Sequence, residues 1–135
     1  MEIEFTPEDI TELKDNEVFV FGSNLKGRHG AGAAKTAVDN FGAVYGFGDG
    51  FYGQTYAIPT KGLHMEVLPL SDIEDYIKCF IDFALENTDK KFYVTKIGCG
   101  YAGYTPKDIA PLFFDSFIPD NVILPKEFWE IGCGW

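Results

Sequence analysis

The sequence predicts an α/β protein with a mixed, largely parallel sheet, and three observations carry that prediction. Strongly apolar runs at Glu17–Phe21 and Phe92–Ile97 are typical of strands buried on both faces. Each of these runs leads into a glycine-dense loop. Amphipathic helical patterns separate the strands, and strands that alternate with helices favour a layered fold with right-handed crossovers.

The first forty residues predict a short helix, a strand and a longer helix. The segment Thr6–Asp9 combines an N-cap threonine, a proline and acidic residues, so we expect a helix that ends near Lys14. The strand Glu17–Phe21 follows. Small and apolar residues at helical spacing then predict a helix over Gly30–Phe41, which Gly42 ends.

The rest of the chain predicts two further helices and three strands. Ser71–Glu74 is a capping box that begins an amphipathic helix, and Thr105–Asp108 begins another. Residues 43–55 are expected to be irregular. For the tail Phe128–Trp135, two interpretations stay open, a cap on the core or a dimer contact. Strands are expected over Tyr56–Thr60, Phe92–Ile97 and Asn121–Leu124, and Pro59 is expected to end the first of them.

Length, composition and charge indicate one compact domain over residues 1–135. The chain is 46% hydrophobic and 16% aromatic, with a formal net charge of −10. This charge opposes binding to extended nucleic acid, which needs a basic face. A small nucleotide is compatible with it, because a few N–H donors and one cation offset a phosphate locally. No segment approaches the ~18 apolar residues of a membrane span, so no membrane partner is expected.

Cysteine usage and the N-terminal sequence indicate a cytoplasmic protein with reduced thiols. The three cysteines, Cys79, Cys99 and Cys133, are odd in number and lack metal-site spacing. We therefore expect neither a disulfide framework nor a metal site, and no cofactor. The first fifteen residues carry six carboxylates and no long apolar run, which is not the pattern of a signal peptide.

Two glycine-dense loops are the strongest functional signal. The first contains Gly22-Ser23-Asn24 and Gly27-Arg28-His29-Gly30-Ala31-Gly32, and the second is Gly98-Cys99-Gly100-Tyr101-Ala102-Gly103. A strand that ends in a glycine turn and opens a helix gathers backbone N–H groups around one volume, which suits phosphates. Neither loop matches a dinucleotide or Walker motif. The alternative is that the glycines only permit tight packing of helix on sheet.

Several side chains in these loops have both a functional and a structural interpretation. Asn24 suits a ribose hydroxyl, or it closes an Asx turn. His29 is a candidate general base, or a solvated loop histidine. Cys99 is an activated thiol, or a small apolar filler. Arg28 pairs with phosphate or balances local charge, and Tyr101 stacks on a ligand or packs in the core.

The order of the motifs resembles the macrodomain family, in particular the small macro-like proteins of bacteria and phages. An early Asp-Ile-Thr, a strand with an asparagine turn, a glycine loop that opens a helix, a middle strand and a second phosphate loop follow one another in that family. Here the matching segments are Asp9–Thr11, Val18–Asn24, Gly27–Ala34, Gln54–Thr60 and Ile97–Tyr104. One departure is the pair Arg28-His29, which stands where the family has glycines.

The resemblance implies a three-layer α/β/α sandwich and a ligand that is ADP-ribose or a relative. Asp9 would meet the adenine amine, Asn24 the distal ribose, and Gly30–Gly32 with Cys99–Gly103 the diphosphate. Some relatives only bind, and others hydrolyse ADP-ribosyl bonds or ADP-ribose 1″-phosphate. In a hydrolase, Asn24 and His29 would be the catalytic pair. The expected ligand-binding set is Asp9, Ser23, Asn24, Gly27, Arg28, Gly30, Ala31, Gly32, Gly98, Cys99, Gly100, Tyr101, Ala102 and Gly103.

Two rival functions share the same sequence features. One is a non-catalytic module that sequesters a nucleotide in the same pocket. The other is an interaction protein of phage or mobile-element origin, whose pocket is vestigial and whose acidic surface meets a basic protein partner.

Overall fold

A computed structural model describes residues 3–115 and 117–134. In this part of the chain a mixed five-stranded sheet is combined with four helices, which confirms the α/β class. The elements in chain order are β1 Glu17–Asn24, α1 Gly32–Phe41, β2 Gly50–Tyr52, β3 Thr55–Lys61, α2 Leu70–Glu86, β4 Lys91–Val94, α3 Pro106–Phe114, β5 Val122–Ile123 and α4 Lys126–Gly132.

The strand order β2-β3-β1-β4-β5 makes β1 the centre of the sheet. β1 is parallel to β3 on one side and to β4 on the other, β4 is parallel to β5, and β2 is antiparallel to β3. The chain therefore leaves β1 in one direction and later returns to its opposite side. In open α/β sheets, such a reversal leaves a crevice beyond the carboxyl ends of the strands, where ligands bind.

The buried apolar residues form two clusters, which divide the side chains of β1 between them. Phe19 and Phe21 of β1 pack with Phe41 of α1, whereas Val18 and Val20 belong to the larger cluster on the opposite face. This division follows from the alternation of side chains along a strand. Helices α2, α3 and α4 contribute to the larger cluster, with the buried residues Ile73, Ile77, Phe80, Ile109, Phe113 and Phe128.

Two predicted helix signals are confirmed and one is wrong. Gly42 ends α1 in the left-handed conformation (φ 87°) and donates its N–H to the Ala37 carbonyl. α3 begins at the predicted position, directly after Thr105, and there Thr105 and Asp108 form a capping box. The capping box expected at Ser71–Glu74 does not form, because α2 begins two residues earlier than an N-cap at Ser71 requires, at Leu70, with Pro69 as N-cap and no side-chain cap bond.

The helix predicted from Thr6 to near Lys14 is also wrong, because the polar groups of Thr6 bond elsewhere. Its N–H donates to the carbonyl of Leu124 (2.9 Å), and its hydroxyl donates to the carbonyl of Val94 (2.7 Å). These contacts draw the segment across the carboxyl ends of β4 and β5. Residues 6–14 contain no helix, and Asp9 lies in a stretch without regular secondary structure.

Two further differences concern the middle of the chain. The strand expected to end at Pro59 continues to Lys61, because Pro59 lies beyond Ala57, the last residue of β3 that pairs with β2. On the side of β3 that faces β2, the missing N–H of Pro59 therefore costs no hydrogen bond between strands. Residues 43–55, expected to be irregular, contain β2 (Gly50–Tyr52), which forms a hairpin with β3.

The C-terminal tail packs on the core as helix α4, which the sequence did not predict. Phe128 is buried and its ring centroid lies 6.0 Å from that of Phe113. Trp129 meets Phe114 edge to face at 5.0 Å. Of the two interpretations of the tail, the cap on the core therefore describes these residues, while Trp135 lies outside the described residues.

Candidate functional site

A cleft of about 440 Å³ opens at the carboxyl ends of β1, β3 and β4, and both glycine loops line it. The topology thus brings together two loops that are seventy residues apart in the chain. The predicted ligand-binding residues among its lining are Ser23, Asn24, Arg28, Gly30, Ala31, Gly32, Gly98, Gly100, Tyr101 and Ala102.

The charged residues of this cleft are all cations. Arg28, Lys61 and Lys96 line it, and no Asp, Glu or His does so among the described residues, although the chain has 21 acidic residues and 11 basic ones. Lys96 Nζ lies 3.3 Å from a carboxylate oxygen of Glu127. No described carboxylate forms an ion pair with Arg28 or Lys61. The cleft is therefore an anion-attracting region on an acidic protein.

Asn24 closes the first loop with both ends of its side-chain amide. Its Oδ1 accepts the N–H of Arg28 (2.9 Å), and its Nδ2 donates to the carbonyl of the same residue (2.8 Å). Gly27, with φ 74°, donates its N–H to the Asn24 carbonyl. The turn-closing role weighed for Asn24 is thus observed, and the residue is also part of the cleft lining.

A second segment, residues 44–48, braces this loop from behind. Gly46 N–H donates to the carbonyl of Gly27 (2.9 Å), and the Ser23 hydroxyl donates to the carbonyl of Gly48. A Cβ on Gly27 would collide with the backbone of Gly46, so Gly27 packs against this segment and is not part of the cleft lining. Tyr45, from the same segment, does line the cleft, and no sequence motif pointed to it.

His29 lies beneath the cleft and not in its lining. Its side chain is 1% exposed, and Nε2 lies 3.1 Å from the carbonyl oxygen of Phe47. The rings of Phe21 and Tyr45 meet the imidazole edge to face, with centroids at 5.3 and 5.8 Å. This position suits neither a general base that reaches a ligand nor a solvated loop histidine.

The second loop presents backbone to the cleft and turns Cys99 away from it. The thiol of Cys99 donates to the carbonyl of Ile97 (3.4 Å), and burial raises the pKa of this thiol to about 11. A protonated thiol outside the lining fits the small-filler interpretation. Gly103 is also outside the lining, and its N–H donates to the carbonyl of Gly100 (3.0 Å), which shapes the loop.

Tyr101 extends over the cleft from the second loop. Its side chain is 76% exposed, and Lys61 Nζ lies 6.0 Å from the ring centroid. A Cβ on Gly32 would lie 3.4 Å from the ring. Lys61 is the last residue of β3. Ligands of parallel sheets bind beyond the carboxyl ends of the strands, and this rule could have pointed to Lys61 from the sequence. Met65, with φ 62°, completes the wall beside it.

A larger cleft of about 730 Å³ adjoins the first and contains Asp9. The two clefts share Ala33, Thr95 and Lys96 in their linings, so they are neighbours. Here carboxylates are frequent. Those in its lining are Glu8, Asp9, Glu127 and Glu130.

Searches for other kinds of site and for related proteins add no assignment. Within residues 3–115 and 117–134, no group of three or more His, Cys, Asp or Glu is placed to hold a metal ion. No helix in these ranges combines the length and apolar character needed to cross a membrane. No protein-family model, curated protein or solved structure matches the chain.

Proposed function

We propose that this chain is a macrodomain-like protein, a three-layer α/β/α sandwich, that binds ADP-ribose or a related NAD-derived nucleotide. The observation that carries the proposal is the cleft beside β1, where backbone of two glycine loops is combined with three cations and, among the described residues, no carboxylate. Glycine loops at strand ends bind phosphates through their N–H groups, and the cations offset the phosphate charge.

The two neighbouring clefts suit a ligand with a phosphate centre and two polar ends. Their volumes, about 440 and 730 Å³, lie in the size range of small-molecule sites. The diphosphate would lie between Gly30–Gly32 and Gly98–Ala102, with the base toward Asp9. The distal ribose would lie at Asn24, which keeps one amide hydrogen and one oxygen lone pair beyond its bonds to Arg28.

The cleft supports binding more directly than hydrolysis. Its described lining offers no carboxylate or imidazole as a general base. His29 is buried beneath the loop, and the Cys99 thiol is protonated near neutral pH. A hydrolase built on this site would have to use a water held by the substrate itself. We therefore propose a nucleotide-binding module. Release of product over many turnovers would show instead that the protein is an enzyme.

Calorimetric titration with ADP-ribose tests the proposal, with AMP and NAD as comparison ligands. A micromolar dissociation constant, about −8 kcal/mol, is expected for ADP-ribose. Arg28→Ala removes a cation of the cleft and should weaken binding about 10-fold. Lys26→Ala is the matched control, because it removes the same charge from an exposed position outside the cleft lining.

Three outcomes separate the alternatives. Stoichiometric binding without product after long incubation supports a binding module, whereas release of product over many turnovers identifies a hydrolase. Absence of both heat and thermal shift at millimolar ADP-ribose would reject the proposed ligand. A search for a protein partner would then follow.

A further inference from the structure

His29 joins the two segments that build one wall of the cleft. Its backbone neighbours Arg28 and Gly30 line the cleft, while its own side chain points inward and is 1% exposed. Nε2 lies 3.1 Å from the carbonyl oxygen of Phe47, in the bracing segment 44–48. The imidazole thus ties the ligand-facing backbone to the structure beneath it.

This contact determines which nitrogen of His29 carries the hydrogen. A carbonyl oxygen only accepts hydrogen bonds, so Nε2 must be the donor to Phe47. In the neutral ring, Nδ1 is then unprotonated. Nδ1 is buried and has no hydrogen-bond partner among the described residues. The ring is therefore held by one bond, in one neutral tautomer.

Two aromatic rings fix the orientation of the imidazole. The rings packed against the imidazole are Phe21 and Tyr45, and the latter is the titratable group that faces it. No described carboxylate pairs with His29, and the adjacent side chain, Arg28, is itself a cation.

We propose that His29 is a positioning residue whose Nε2–H bond to Phe47 holds the Arg28–Gly32 backbone in the form that binds phosphate. That this form binds phosphate rests on the proposed function, whereas the hold on the loop does not.

The test compares wild-type protein with His29→Gln, His29→Leu and His64→Leu. Glutamine places an amide N–H about as far from the backbone as Nε2 does, whereas leucine fills the space without a donor. His64 is the other histidine of the chain, in an exposed loop outside both clefts, so His64→Leu is the matched control. ADP-ribose serves as the probe.

His29→Leu should lose affinity on the order of 10-fold, while His29→Gln and His64→Leu should change by less than about 2-fold. In ligand-free protein, hydrogen-exchange protection factors of the Arg28–Gly32 amides should fall in His29→Leu and stay near wild type in His29→Gln. An equal loss of affinity in His29→Gln and His29→Leu would overturn the proposal.

Two measurements keep the test independent of ligand and variant. If ADP-ribose does not bind, the proposed function fails, and the protection factors still decide whether His29 holds the loop. If the His29 variants do not fold, ring nitrogen chemical shifts of the wild type remain. A neutral Nε2–H tautomer at pH 7.5 supports the hold, and an Nδ1–H tautomer or a charged ring contradicts it.

Discussion

The backbone of Gly22 lies directly against that of Gly98. A Cβ on Gly22 would lie 3.2 Å from the amide nitrogen of Gly98 and 3.4 Å from Cα of Ile97. Gly22 belongs to β1, and Gly98 lies in the loop that follows β4. The absence of a side chain at position 22 therefore lets the second glycine loop approach the first, so that both line a single cleft.

Gly22→Ala should loosen this approach. The atoms that a new methyl group would meet are mostly backbone of the adjoining segment, which cannot rotate away as a flexible side chain does. We expect the free energy of unfolding to fall by about 1–2 kcal/mol, as is typical of overpacking, and ADP-ribose binding to weaken. Urea unfolding and calorimetry measure the two effects. Unchanged values of both would show that the two loops adjust independently.

Gly100→Ala should separate binding from stability. A Cβ at this position meets no atom within 4 Å, and the residue is not in the left-handed region. We expect the free energy of unfolding to stay within about 0.5 kcal/mol of wild type. Affinity for ADP-ribose should fall about 10-fold, because the methyl group keeps the phosphate from the backbone N–H groups. Wild-type affinity would place the phosphates away from this loop.

Cys99 should be the slowest of the three cysteines to react with iodoacetamide. Cys79 and Cys133 are exposed, whereas burial raises the pKa of Cys99 to about 11. Only the thiolate reacts, so at about pH 8 its reactive fraction is on the order of 100-fold below that of an ordinary thiol. Peptide mass spectrometry over time gives the three rates. Labelling of Cys99 as fast as Cys79 would restore the activated-thiol interpretation.

Local patterns predicted the elements whose ends depend on their own residues. Gly42 ends α1 and Thr105 begins α3 because a left-handed glycine and a capping box act within one turn. The helix expected at Thr6 failed because its hydroxyl and N–H bond to Val94 and Leu124, which are distant in sequence. No periodicity within a short window reports such partners.

The residues of the candidate site also fall into those that local sequence patterns predicted and those that depend on distant contacts. Glycine loops at strand ends predicted most of the cleft lining, since the carboxyl ends of parallel strands meet at one edge. Tyr45 and the brace behind Gly27 were missed because no motif marks a loop that supports another loop. The sequence also could not show that His29 points inward, since that depends on its packing against Phe21.

The capping box of α3 should be measurable as stability. Thr105 N–H donates to a carboxylate oxygen of Asp108 (2.9 Å), and the threonine side chain caps the Asp108 N–H in return. Thr105→Ala removes the second bond and should lower the free energy of unfolding by about 1 kcal/mol. Thr88→Ala, at an exposed turn position, is the control for the loss of a threonine. An equal effect of both substitutions would mean that the box contributes nothing.

Tyr101→Ala should weaken nucleotide binding without affecting the fold. The ring is 76% exposed, so its removal leaves no cavity, and the melting temperature should not change. The ring reaches from Gly32 to Lys61 across the cleft, where it can cover a bound sugar or base. We expect an affinity loss of about 10-fold for Tyr101→Ala, and near wild-type affinity for Tyr101→Phe, which keeps the ring. Tighter binding by Tyr101→Ala would show instead that the ring blocks the empty cleft and must move before a ligand enters.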